Sequence, residues 1–250
     1  MSVGSTNAEA MALASDGDAG NLWITAAEQL SGRGRRGRDW SSPPGNLYAS
    51  ALLIDPAPPE RLGTLPLVAA VAVHDAISAS GLPDDARLAI KWPNDILLNG
   101  AKCCGMLLES QNLRDGRLAV VIGCGVNIAS FPDPGLYRAT ALAREGIAAT
   151  PATLFAHLAR AFDRAIALWD CGRGIGAIRE RWLANARGLG ETITVNLATS
   201  RVEGLFEGID ADGTLLLRTG EGILRPISAG DLFFENSTRR ADPAPEKEQE

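Results

Sequence analysis

The sequence predicts an α/β (α+β) architecture: a mixed β-sheet flanked by helices, followed by a small β-barrel. Strand-like runs joined by the turn dipeptides Asn99-Gly100 and Asp115-Gly116 call for closely spaced hairpins, not a regular βαβ series. Apolar residues at helical spacing from Arg61 to Ser80 and from Leu154 to Trp169 supply helices on either side of those hairpins in the chain. Beyond Arg187-Gly188-Leu189-Gly190 the helical spacing stops and short strands take over. These changes divide the chain into a first domain over 1–188, a small barrel domain over 189–235 and a tail over 236–250. The tail carries charge and proline with no apolar residue beyond alanine, and is expected to be disordered.

Thr6-Asn7-Ala8-Glu9 has the form of a capping box, and the alanine-rich run to Ala14 extends it into a short helix. Leu22 to Ala27 reads as a strand entering a glycine-arginine loop, and Leu47 to Ile54 as the strand leaving it. Gly81 and Pro83 stop the long helix that begins at Arg61. Leu88 to Lys91, Ile96 to Leu98, Lys102 to Glu109 and Leu118 to Ile122 are the hairpin strands. Thr150-Pro151 is an N-cap with proline at the first helical position, and Ile178 to Ala186 is a further helix. Thr192–Leu197, Val202–Ile209, Leu215–Leu217 and Ile223–Ile227 are the barrel strands. A module of that size is too small to be comfortable alone.

Composition excludes several classes. A net charge of −6 argues against a general nucleic-acid binder, whose affinity rests on spread positive charge. No apolar run reaches a membrane span, and the opening Met1-Ser2-Val3-Gly4 is not a signal peptide, so a cytoplasmic location is expected. Cys103, Cys104, Cys124 and Cys171 show no metal-binding spacing, and His74 and His157 sit in helix-like stretches as structural residues.

Against this acidic background, Gly32-Arg33-Gly34-Arg35-Arg36-Gly37-Arg38 concentrates repelling charge until an anion arrives. The segment fits G-x-G-x-x-G, but Asp39 to Gly45 contains Pro43-Pro44 and cannot open the helix that a dinucleotide fingerprint requires. There is no Walker motif either. Lys91-Trp92-Pro93-Asn94-Asp95 gathers a cation, an aromatic ring, an amide and a carboxylate at a junction between strands, although the same residues also make an ordinary turn. Lys102 precedes an apolar strand that can support its stem, and Gly123-Cys124-Gly125-Val126-Asn127 is a strand end open to backbone approach. Together the cations are those needed to gather a carboxylate and a triphosphate.

Ser5-Thr6-Asn7, Gln29, the Gly-Arg loop with Trp40, Lys91 to Asp95, Lys102 with Gly105, and Gly123 to Asn127 resemble the ordered motif series of the biotin protein ligases. The resemblance extends from Ser5 to the C-terminal module ending near Phe234. It implies a class II synthetase-like catalytic domain of the biotin/lipoate ligase type and an SH3-like C-terminal barrel. It also implies the activity of a biotin–[biotin carboxyl-carrier protein] ligase: biotinyl-5′-AMP is made from biotin and ATP, then biotin passes to a specific lysine of a biotin carboxyl carrier protein such as that of acetyl-CoA carboxylase. By resemblance Arg33, Lys102 and Asp95 are catalytic. Ser5, Thr6, Asn7, Gln29, Gly32, Arg33, Gly34, Arg35, Lys102, Gly105 and Gly123 bind biotin; Arg33, Arg36, Arg38, Trp40, Asn94, Lys102 and Asn127 bind ATP. Mg²⁺ is expected to arrive with ATP, with no dedicated protein ligand cluster and no tightly bound cofactor. Trp40 and Trp92 remain equally credible as pocket walls or core, and Asp95 as an orienter of Lys102 or as a base.

Only four residues precede Ser5, so the strand that family members carry there is expected to be missing, and no room is left for an N-terminal helix-turn-helix; DNA binding is not expected. The protein is expected to be a monomer or homodimer without membrane partners. Cys103 and Cys104 beside Lys102 leave open a lipoate or octanoate ligase or transferase of the same fold, with a cysteine nucleophile. The remote alternative is a nucleic-acid-binding module.

Overall fold

The computed structural model describes residues 1–132 and 138–234; the tail expected at 236–250 lies outside the described residues. Met1–Arg187 with Ile209–Gly213 form one compact unit, and Gly188–Gly208 with the chain from Thr214 form a second.

In the first unit the elements run β1 (Ser2–Val3), α1 (Thr6–Ser15), β2 (Leu22–Ala26), β3 (Glu28–Gln29), β4 (Leu47–Ile54), α2 (Leu65–Ser78), β5 (Leu88–Lys91), β6 (Asp95–Leu98), β7 (Ala101–Asn112), β8 (Leu118–Val126), α3 (Pro151–Trp169) and α4 (Ile175–Ala184). The main sheet has the order β2-β4-β8-β7-β6-β5, and each pair in it is antiparallel; β5-β6, β6-β7 and β7-β8 are joined by short hairpin connections that require it. Parallel pairing enters through β1, which aligns Ser2 and Val3 with Glu28 and Gln29 of β3. The strand expected to be missing before Ser5 is therefore present, as two residues only.

The two faces of the sheet are covered differently. Leu22 and Ile24 of β2 pack with Leu52, Val121 and the α1 residues Ala10 and Ala14. Trp23, between them and thus on the opposite face, meets Phe155 and Phe162 of α3 edge-on, with ring centroids 5.6 and 5.1 Å apart. α3 buries Leu154, Leu158, Ala161, Phe162, Ala165 and Trp169, a stripe at helical spacing. α2 is apolar nearly all round and is buried accordingly.

Two local expectations change and two hold. Thr6 opens α1 as its first helical residue, Ser5 is the N-cap, and no side chain caps the end; the hydroxyl of Thr6 is engaged elsewhere. The helix expected from Arg61 is a 3-10 turn over Pro59–Thr64 followed by α2, because Pro66 lacks an amide hydrogen and is tolerated only in a first turn. Thr150 does cap α3, in reciprocal hydrogen bonds with Thr153. Asn99 and Gly100 take φ of +50° and +77°, the positive values of a two-residue I′ turn, with Leu98 paired to Ala101.

The second unit comprises β9 (Thr192–Asn196), β10 (Arg201–Ile209), β11 (Leu215–Arg218), β12 (Leu224–Ile227) and β13 (Asp231–Phe234), in the order β12-β11-β10-β9-β13. β13 is additional to the expected strands. Ile193, Val195, Phe206, Leu217 and Leu232 are buried by the alternation of these strands. β12 and β13 are the edges, so among the described residues the sheet is not closed into a barrel.

Candidate functional site

The α1-bearing face of the main sheet carries the predicted residues. Directly opposed residues of neighbouring strands point to one face, so the row Tyr48, Gly125, Gly105, Asp95 shares a surface with the row Ser50, Gly123, Leu107 one pleat away. Three glycines in these rows leave a floor without side chains, and each is demanded by a neighbour. A Cβ on Gly125 would lie 2.3 Å from Nε1 of Trp40, and one on Gly105 would lie 3.0 Å from Cζ3 of the same indole. A Cβ on Gly123 would lie 2.1 Å from Oδ1 of Asn7. Trp40 thus lies across the floor, with its Nε1 buried and without a hydrogen-bond partner.

Lys102 reaches this face through an irregularity. Strict alternation along β7 would place residue 102 opposite to 105, 107 and 109. The register instead shifts between Ile96 and Leu97, so that Ile96 faces Cys104 and Leu97 faces Lys102, leaving Cys103 as the extra residue of a bulge. The bulge turns Lys102 toward Gly105, where an added methyl would lie 3.2 Å from Nζ. Nζ pairs with Oδ1 of Asp95 at 2.7 Å and stands 5.3 Å from the centre of the Trp40 ring. Backbone bonds from Lys102 N to Arg138 O and from Thr140 N to Lys102 O hold the bulge.

Beside the glycine floor lies a polar cluster. Ser50 Oγ faces Thr6 Oγ1 at 2.7 Å and Asn7 Oδ1 at 2.6 Å. Gln29 Oε1 accepts from Thr6 N at 2.9 Å and from Thr6 Oγ1 at 3.1 Å, while its Nε2 donates to Ser42 Oγ at 3.0 Å. Asn7 Nδ2 donates to Glu109 Oε2 at 2.8 Å. The short β1–β3 pairing brings Thr6 against Gln29, across a sequence separation that spacing alone would not bridge. Gly32 belongs to this cluster by exclusion: a Cβ there would lie 2.5 Å from Ser42 Oγ and 2.4 Å from Trp40 O. Ser5 is buried at the entrance to α1.

The arginine loop folds over one edge of the cluster as a tight hairpin, with Gly34 N donating to Arg38 O and Arg33 bridged to Asp39. Arg36 takes a φ of +58°. Arg33 Nη2 pairs with Glu109 Oε2 at 2.9 Å, and Arg35 Nη1 donates to Asn94 Oδ1 at 3.1 Å. Asn94 also donates to Met106 O, which docks it on β7. Arg36 and Arg38 are exposed. Asn127 lies against the Lys102 bulge, its N donating to Cys103 O; it is 2% exposed and its Nδ2 donates to Thr140 O at 3.1 Å, a bond that anchors the segment beside Lys102. Trp92 is core, at 1% exposure.

Sequence reasoning does not single out Ser50, Ser42 or Glu109. Ser50 carries a signal, as the one aliphatic hydroxyl inside the apolar strand Leu47–Ile54, and it is 0% exposed. Cys103 and Cys104 do not reach the site. Both are 0% exposed, and burial pushes the Cys103 thiol up to about 12 and that of Cys104 well above its ordinary value. Such thiols are neither ionised near neutral pH nor accessible, which removes the physical basis of a cysteine nucleophile at this position.

Comparison with known proteins identifies the family. Residues 5–127 match the biotin/lipoate A/B protein ligase family, and residues 188–234 match the biotin protein ligase C terminal domain. The chain is 44% identical over 236 residues to the biotin–[acetyl-CoA-carboxylase] ligase of Paracoccus denitrificans, covering 92% of this chain and 97% of that protein. It is 35% identical over 234 residues to the bifunctional ligase/repressor BirA of Bacillus subtilis, covering 91% of this chain and 70% of that one. Among solved structures, the biotin protein ligase from Aquifex aeolicus in complex with biotin and ATP superposes with a TM-score of 0.76 at 26% identity, covering 93% and 95% of the two chains.

Proposed function

Because this chain belongs to the biotin/lipoate A/B protein ligase family, we propose that it makes biotinyl-5′-adenylate from biotin and ATP and then biotinylates one lysine of a biotin carboxyl carrier protein. It is an ATP-dependent biotin ligase; the acceptor reading follows from the relative in Paracoccus denitrificans, named for acetyl-CoA carboxylase. The observation that carries the residue roles is the convergence on one sheet face of the Thr6–Asn7–Ser50–Gln29 cluster, the Lys102–Asp95 pair and the arginine loop.

In the first step a carboxylate oxygen of biotin attacks the α-phosphorus of ATP, the bond to the β-phosphate oxygen breaks, and pyrophosphate departs with the electron pair. Two unit charges 4 Å apart repel by about 1 kcal/mol in water and by roughly 4 kcal/mol at the effective dielectric of a protein surface, so the step needs cations placed beforehand. Lys102 supplies a point charge between the two acids, and Arg33, Arg35, Arg36 and Arg38 supply donors around the phosphates and carboxylate, with Mg²⁺ arriving on ATP. Thr6, Asn7 and Gln29, with Ser5 at the helix entrance and Ser50 beneath, offer hydroxyl and amide groups to the ureido ring. A ligand lacking that ring would leave buried polar groups unpaired, which gives selectivity. In the second step the neutral amine of the carrier lysine attacks the carbonyl carbon, the bond to the phosphate oxygen breaks so that AMP leaves with the electron pair, and the nitrogen gives up one proton to solvent. The existing bond from Lys102 to Asp95 favours Asp95 as the orienter of Lys102.

Loop closure would follow biotin, whose carboxylate neutralises the arginines and completes the ATP site, shielding the mixed anhydride from water. We place the enzyme in the cytoplasm, consistent with buried, unpaired Cys103, Cys104 and Cys124.

The test is incubation of purified protein with biotin, MgATP and a carrier domain, followed by intact mass analysis. A single biotin added to one carrier lysine, and bound adenylate with released pyrophosphate when the carrier is omitted, is the expected result. Transfer of lipoate or octanoate instead of biotin, or an acyl-thioester on Cys103 or Cys104, would contradict it.

A further inference from the structure

We infer that Glu109 is a positioning residue with two separable tasks: it orients Asn7 in the biotin pocket, and it serves as a resident carboxylate that holds Arg33 until the carboxylate of biotin takes its place. The inference rests on the biotin-ligase reading and goes beyond it, since Glu109 belongs to none of the motifs that suggested that reading.

Its basis is one oxygen. Glu109 Oε2 accepts from Asn7 Nδ2 at 2.8 Å and pairs with Arg33 Nη2 at 2.9 Å, so the amide of the recessed cluster and the guanidinium of the loop meet on a single atom. Glu109 stands on β7 on the same face as Gly105 and Leu107, where the register pairs it with Val121. Asn7 is held from its other side by Ser50, and its Nδ2 has two acceptors, Leu107 O at 3.4 Å and Glu109 Oε2 at 2.8 Å, of which Glu109 is the closer and does more to fix which end of the amide faces the pocket. A carboxylate against a guanidinium is chemically the same contact that biotin's own carboxylate offers to Arg33. The resident pair is built to yield: the side chains of Arg33 and Glu109 are 50% and 30% exposed, and ion pairs so open to water are weak. The loop is thereby docked near its working position at small cost, and an incoming acid displaces Glu109 from Arg33 without disturbing its hold on Asn7.

The two tasks part under substitution. Glu109→Gln keeps an acceptor for Asn7 and removes the charge that competes for Arg33, so biotin should bind about two- to five-fold more tightly, the range set by an exposed ion pair. Glu109→Ala removes the closer acceptor as well and leaves Asn7 Nδ2 only the longer bond to Leu107 O, so biotin should bind more weakly than to the wild type. Opposite signs for the two variants, in calorimetric titrations with biotin alone, are the result expected. Biotin methyl ester, which lacks the carboxylate charge, should bind wild type and Glu109→Gln alike, and in an Arg33→Ala background Glu109→Gln should have no effect. Unchanged or weaker biotin binding by Glu109→Gln overturns the latch, and that variant alone carries the test if Glu109→Ala does not fold. Failure of the wild-type protein to bind biotin would overturn the functional reading together with the latch, whereas wild-type binding with an inert Glu109→Gln overturns the latch alone.

Discussion

The polar cluster and the arginine loop lie side by side, yet they are built on opposite principles. Thr6, Asn7 and Ser50 are 3%, 5% and 0% exposed and bond to one another or to fixed neighbours, so their geometry is set by folding. The loop carries its charge outward; Arg33, Arg36 and Arg38 are exposed, and side-chain contacts to Glu109 and Asn94 tie it to the sheet. Selectivity for a neutral ring system calls for the first kind of construction, because an unsatisfied buried polar group is costly. Assembly of two acids calls for the second, because charge that is useful only with ligand present must stay hydrated until then. The difference predicts that cluster variants change stability and biotin affinity together, whereas loop variants change ligand handling with little change in stability.

The largest effect is expected between the two regions. Lys102→Ala should lower pyrophosphate release by at least about 10²-fold, the usual loss for one well-placed charge at a developing anion, while retaining most biotin affinity. Near-normal release would remove Lys102 from the chemistry. Next comes Gly123→Ala, whose methyl would overlap Asn7 Oδ1; it should lower the unfolding free energy by roughly 1–3 kcal/mol and weaken biotin binding in parallel. By contrast Arg33→Ala should leave stability within about 1 kcal/mol while adenylate formation falls. Equal stability losses in these two variants would erase the distinction between the regions.

Two further variants refine it. Ser50→Ala leaves Asn7 Oδ1 without its donor and should cost about 1–3 kcal/mol in urea unfolding, with weaker biotin binding. At the Lys102 end, Glu145 accepts from Thr140 Oγ1 and Asn99 Nδ2, and these bonds, Thr140 first, hold its carboxyl below the ordinary 4.5. A depressed carboxyl contributes stability that is present above its unfolded pKa and is lost as the pH falls through the folded one. The stability gap between wild type and Glu145→Gln should therefore be full at neutral pH and narrow as the pH drops below 4.5. A gap independent of pH would show that the carboxylate charge does not support this segment.

How much of this is legible in sequence depends on whether the controlling contact is local. The strand Leu47–Ile54, the Asn99-Gly100 turn and the Thr150 cap follow from neighbouring residues and their dihedral preferences, and the structure has each of them where the sequence puts it. Pro66 also carries a local signal, against a helix starting at Arg61, but the apolar spacing around it is strong enough to mask that signal. The site is legible as motifs and illegible as geometry. Nothing local says that Cys103 is a bulge residue that turns Lys102 to the other face, since the cause is register with β6. Likewise Thr6 looks like a cap because Gln29, which engages it, lies 23 residues away and is joined to it through the β1–β3 pairing. The motif puts Asn127 with the phosphates, and only the fold shows that its Nδ2 donates to Thr140 O.

The claim that the cluster is set before the loop is tested most directly by titrating ATP into the protein with and without saturating biotin. ATP should bind weakly to the protein alone and markedly more tightly once biotin, or a non-reacting analogue that keeps an acid group, occupies the cluster. Equal ATP affinities under the two conditions would contradict it.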